Sequence, residues 1–69
     1  MDFKLNSAFI ELDNLLKNLR LVNSGAEAKQ AIQSGLVKVN GEVESRVRRK
    51  LRAGDTVEFS GNQVSILKP

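Results

Sequence analysis

The chain has 69 residues, 41% of them hydrophobic, with 11 basic and 8 acidic side chains and a formal net charge of +3. A chain near this length makes one small domain with a thin core, because it buries only about 60% of the surface its unfolded form exposes. Cysteine and histidine are both absent, which excludes disulfides, thiolate or imidazole metal sites, and catalysis by a histidine base or a cysteine nucleophile. No apolar run approaches the roughly 20 residues of a membrane span. The first residues, Met1 to Asn6, lack the basic-then-apolar order of a secretory signal. The expectation is a cytoplasmic protein away from membranes. The net charge permits nucleic-acid binding without requiring it, so the distribution of charge must decide.

Phe3-Lys4-Leu5 alternates and reads as an edge strand or a frayed terminus. Ile10 to Leu21 reads as the first helix: Leu12, Leu15, Leu16 and Leu19 form one apolar stripe, and Glu11, Asp13, Asn14, Lys17 and Asn18 fill the solvent side. Val22-Asn23 is a short link, so the two helices meet at a tight corner. Ser24 is a good N-cap with Glu27 three residues on, which makes a capping box. Ala28, Ala31 and Ile32 supply the buried edge of this second helix, and Gly35 suits its left-handed stop. Val37-Lys38-Val39 alternates as a half-buried strand, and Asn40-Gly41 tolerates the two positive φ angles of a hairpin turn. Glu42-Val43-Glu44 returns along it. The basic run Arg46 to Arg52 follows, then a turn at Ala53-Gly54-Asp55. Thr56 to Phe59 and Gln63 to Leu67 read as strands joined by a type II′ turn at Gly61-Asn62. The order predicts an α+β fold, a two-helix corner packed on a small, mainly antiparallel sheet of four to five short strands. No linker or repeat divides residues 1–69.

The basic run carries the strongest functional signal. Five of the 11 basic residues, Arg46, Arg48, Arg49, Lys50 and Arg52, fall within seven positions with nothing acidic between them. Guanidinium groups match phosphate with planar, bidentate donors. A loop so charged repels itself unless an anion is present; the structural alternative is a solvated loop balanced by Glu42 and Glu44. Lys29 and Lys38 lie on the adjoining helix and strand, which makes a shared basic face geometrically plausible. At the start of the second helix, Ser24 and Gly25 offer a hydroxyl and unshielded N–H groups to phosphate, although an ordinary cap explains them as well. Asn40 shapes its turn and is close enough in sequence to this set to reach a sugar. Phe3, Phe9 and Phe59 are the only aromatic residues and read as core, so phosphate contacts and nucleic-acid shape should dominate over base stacking. No phosphate-loop glycine pattern is present, Ser24 has no base partner in sight, and the acidic residues are scattered. The chain is expected to be no enzyme and to need no cofactor.

These residues resemble the RNA-binding domain first known from ribosomal protein S-four, the alpha-L motif. The resemblance runs from about Glu11 to Phe59. It rests on Leu12-Asp13 with Leu15, on Ser24, Glu27 and Ala28, on Ile32, Gly35, Val37 and Val39-Asn40-Gly41, and on Gly54-Asp55 with Val57. It implies two helices on a small curved sheet, with RNA across the helical corner and the basic loop. Within the family, small bacterial proteins with Ser-Gly-Ala-x-Ala-Lys at the second helix and Glu-x-Arg before the basic run are especially similar; Ser24 to Lys29 and Glu44-Ser45-Arg46 fit them. Two positions depart from the common pattern. Glu11 stands where an arginine usually precedes Leu-Asp, and Gly25-Ala26 stand where arginines usually follow the cap serine. The resemblance therefore implies binding of structured RNA, ribosomal or transfer RNA, on the ribosome or free of it; the small size of the chain is what makes a monomer the expectation. The expected contacts are Ser24, Gly25, Lys29, Lys38, Asn40, Arg46, Arg48, Arg49 and Lys50, with the weight shifted to the arginine loop. Two other readings stay open: DNA binding by a helix-turn-helix with Gln30 and Gln33 in the major groove, and a protein-interaction module on the ribosome.

Overall fold

A computed structural model describes residues 1–69. The elements in chain order are β1 (Asp2–Lys4), β2 (Ile10–Glu11), α1 (Leu12–Asn18), α2 (Gly25–Gln33), β3 (Val37–Val39), β4 (Glu42–Val43), β5 (Lys50–Leu51), β6 (Thr56–Phe59) and β7 (Asn62–Leu67). Five strands form one sheet in the order β1-β7-β6-β3-β4, and β2 pairs with β5 in a separate two-stranded ribbon. Pairing is antiparallel throughout except between β1 and β7. The α+β expectation and the mainly antiparallel sheet are therefore observed.

One apolar cluster of 14 buried residues joins the layers. Leu12, Leu15 and Leu16 come from α1, Ala28, Ala31 and Ile32 from α2, and Val37, Val39, Val57, Val64 and Ile66 from the sheet. Strand alternation sends these sheet residues to the helix side and leaves Lys38, Glu58 and Gln63 on the outer face.

The first helix is shorter than its apolar stripe. Ile10 and Glu11 are strand residues paired with Leu51 and Lys50. The opening N–H groups of α1 then donate to the basic segment: Leu12 N–H to the Arg49 carbonyl at 2.8 Å and Asp13 N–H to the Val47 carbonyl at 3.1 Å. At the other end Arg20 turns left-handed at φ 57°. Its N–H bonds to Lys17 O at 3.0 Å and Leu21 N–H bonds to Leu16 O at 3.0 Å, the paired bonds of a Schellman stop. The same motif closes α2 around Gly35 at φ 79°, with Leu36 N–H on Ala31 O at 3.1 Å. A glycine announces the second stop in the sequence; nothing announces the first.

Two further differences concern turns and aromatics. Asn40 and Gly41 both take positive φ, as their turn demands, but the last hairpin turns on Ser60 and Gly61 rather than Gly61-Asn62. Asn62 is already paired with Phe59, so the reversal is one residue earlier and has two left-handed residues, not one. Phe3 and Phe59 pack against the core as expected. Phe9 does not: it is 37% exposed, because it precedes β2 on the face opposite the inward Ile10.

Candidate nucleic-acid interface

The basic segment is strapped in place by backbone and carboxylates. Glu44 is the one buried charged residue, only 7% exposed. It accepts the Arg46 Nε–H at 2.9 Å and an Nη2–H at 3.1 Å, and also the Arg49 Nη1–H at 2.7 Å. The Arg46 backbone N–H adds a fourth bond at 3.0 Å. Glu44 is thus covered by its own partners rather than sunk in the apolar core. Those hydrogen bonds, Arg46 first, outweigh the opposing effect of burial and hold its carboxyl at a pKa of about 2. Arg48 Nε–H reaches the Glu11 carboxylate at 3.2 Å. The self-repelling loop gives way to the balanced alternative: Glu44 holds Arg46 and Arg49 as that reading has it, Glu42 makes no ion pair, and Glu11, the departure from the family pattern, holds Arg48.

This restraint leaves cationic capacity unspent. Arg46, Arg48 and Arg49 share two carboxylates, and Lys50 is ion-paired with none. The Arg46 and Arg48 side chains remain 72% and 76% exposed. Each guanidinium carries five N–H donors; Arg46 spends two on Glu44 and Arg48 one on Glu11. Arg49, at 28%, is the more enclosed. Arg46 and Arg49 border a polar cleft of about 340 Å³ together with Asn40, Glu42 and Glu44. Lys50 lies with its ammonium 5.0 Å from the centre of the Phe9 ring, a cation–π contact.

The remaining candidates are distributed more widely. Ser24 caps α2, its Oγ accepting the Glu27 N–H at 3.2 Å; its O–H remains free to donate. Lys29 is exposed on α2, and Lys38 is exposed on the outer face of the sheet, away from the helices. The structure does not bring Lys38 to the helical side. Asn40 is already engaged: its Nδ2 donates to Asp55 Oδ1 at 3.0 Å and its Oδ1 accepts the Thr56 N–H at 2.9 Å. Asp55 also takes the Arg52 N–H at 2.8 Å. Burial pushes the Asp55 carboxyl up, but the Arg52 N–H, the Asn40 amide and the charges of Arg49 and Arg52 together hold it below the usual range. The two sequence runs Val39-Asn40-Gly41 and Gly54-Asp55 are therefore one hydrogen-bonded cluster. Lys17 is a solvent-side residue by its helical spacing, yet its side chain lies beside Gly25: a Cβ there would sit 3.9 Å from Lys17 Nζ. Helical spacing carries no signal for a contact between two different helices.

Residues 3–67 match the family model of the S4 domain. The chain belongs to the S4 domain family. Among relatives within reach of this S4 chain, YbcJ of Escherichia coli strain K12 is 50% identical over 58 residues, spanning 84% of this chain and 83% of YbcJ. A Shigella flexneri protein, also YbcJ, matches to the same extent. The solution structure of E. coli YbcJ superposes with a TM-score of 0.72 at 46% identity, covering 96% of this chain and 85% of that one. That YbcJ structure carries an alpha-L motif involved in RNA binding. The S4 fold expected from the Asn40-Gly41 and Gly54-Asp55 runs is thereby shown, as is the bacterial character of its relatives.

Proposed function

We propose that this chain binds structured RNA, ribosomal or transfer RNA, without catalysis, through the arginine segment and the adjoining helical corner. The observation that carries the reading is the restraint of Arg46 and Arg48. Each is anchored at one edge by a carboxylate while most of its surface stays open. An arginine held this way loses less conformational freedom on meeting a phosphate than one swinging free. Lys50 extends the same segment. Lys17, Lys29 and the Ser24-Gly25 end of α2 supply further donors, whereas Asn40 serves the fold and Lys38 faces elsewhere. Membership of the S4 family and the RNA-binding alpha-L motif of YbcJ support the reading. No helix is long and apolar enough to cross a membrane, and we place the protein in the cytoplasm as a monomer.

Competition between a folded RNA and duplex DNA for the labelled protein tests the proposal. RNA should win at equal nucleotide concentration; preference for DNA would favour a groove-reading α2 instead. Ribonuclease treatment of pulled-down complexes should release the partners, and partners that survive digestion would point to protein docking. Crosslinking and sequencing of the bound RNA identifies its class.

A further inference from the structure

Phe9 is the one aromatic side chain of this protein that stays outside the apolar cluster. It borders a cleft of about 260 Å³ whose other lining residues are apolar at Phe3, Leu5 and Ile10 and polar at Lys4, Asn6, Ser7 and Asn18. Lys50 covers the ring and does not line that cleft. The pairing of Ile10 with Leu51 and Glu11 with Lys50 fixes the surroundings. Ile10 and Leu51 turn inward, and Phe9, Glu11 and Lys50 share the outward face of the ribbon, where Arg48 reaches Glu11.

We infer that this cleft receives one unpaired nucleobase of the bound RNA, stacked on Phe9, while Lys50 and Arg48 hold the flanking phosphates. The inference rests on the RNA-binding reading above and adds the structural class of RNA: a helix interrupted by a bulge or loop nucleotide. The mixed lining suits a base, whose faces are apolar and whose edges are polar, better than a wholly apolar protein side chain. Half of the lining is polar. Asn18 spends one amide hydrogen on Asn14 O at 3.0 Å, which leaves its carbonyl oxygen, and Ser7 Oγ–H goes to Phe9 O at 3.0 Å, which leaves its lone pairs. Asn6 is exposed beside them. An apolar occupant would leave such groups unpaired, at a cost, whereas base edges offer them donors and acceptors. Lys50 on that ribbon face, and Arg48 bonded to Glu11 there, supply cations for the flanking phosphates. The volume lies below that of pockets for whole small-molecule ligands and suits a single planar ring system.

Fluorescence titration with the full chain tests this, using an RNA duplex of about 20 base pairs, long enough for a double-strand footprint, and the same duplex carrying one bulged 2-aminopurine. The bulged RNA should bind roughly 5- to 150-fold tighter, the range of one base–aromatic stack, with its fluorescence quenched on binding. Phe9→Leu, which keeps an apolar side chain, should abolish that preference and the quenching while affinity for the paired duplex stays the same. Phe9→Tyr should retain both. Equal affinity of the unaltered protein for the two RNAs, or a preference that survives Phe9→Leu, overturns the base site alone. Binding to neither RNA overturns the RNA-binding reading and this one with it.

Discussion

Arg20 ends the first helix in a conformation that side chains with a Cβ disfavour. At φ 57° it takes the position glycine takes at Gly35, and a left-handed residue with a side chain costs roughly 1–2 kcal/mol. Arg20→Gly should therefore stabilise the protein by about 0.5–1 kcal/mol once the extra freedom of the unfolded glycine is subtracted, read as a rise in thermal midpoint. Glu44 gives the opposite kind of residue-scale prediction. Its folded pKa of about 2 lies below the ordinary 4.5, so its contribution is complete above about pH 4.5 and is lost as the pH falls towards 2. Asp55 shifts in the same direction. Urea midpoints should fall between pH 5 and pH 3, and Glu44→Gln should start lower at neutral pH and fall less across that interval. At neutral pH its deficit should be about 1–2 kcal/mol, the low end for charged hydrogen bonds because the arginine partners stand in solvent.

At the scale of elements, the ribbon of β2 and β5 decides where the basic segment sits. Leu51 is fully buried under it. Leu51→Ala should cost about 2–4 kcal/mol by transfer and cavity terms, measured by urea denaturation. A chain of this size has only roughly 3–10 kcal/mol in total, so the variant should be partly unfolded at 37 °C or close to it. The ribbon was the least legible element in the sequence. Ile10-Glu11 continues a helical apolar stripe, and Lys50-Leu51 lies within a charge run; each is two residues long and becomes a strand only through the other. The second helix was legible throughout, because Ser24, Glu27 and Gly35 mark both ends locally. The parallel partnership of β1 with β7 spans nearly the whole chain and leaves no local signature, while the Asn40-Gly41 turn and the strands beside it were fixed by their own residues.

For the molecule as a whole, the test is electrostatic. If about five phosphates are neutralised, the logarithm of RNA affinity should fall against that of salt with a slope of roughly −3.5 to −4.5. Arg48→Ala should flatten that slope by about 1 and weaken binding to different RNAs alike. Arg48, 76% exposed with one bond to Glu11, is a cleaner probe than Arg49, which is 28% exposed and bonded to the buried Glu44. A flat salt response would end the proposal. Charge type and clustering were readable from the run Arg46 to Arg52. The commitment of Arg46 and Arg49 to nearby Glu44 was also within reach of the sequence, whereas that of Arg48 was not, since Glu11 is 37 positions away and only folding brings them together.

The amides of Leu12 and Asp13 rest on carbonyls from the segment proposed to hold RNA. Any ligand that tightens or tugs that segment must register in how fast those two protons trade with deuterated solvent. Two hydrogens at the start of a helix thus act as a built-in gauge of occupancy at a surface neither of them touches.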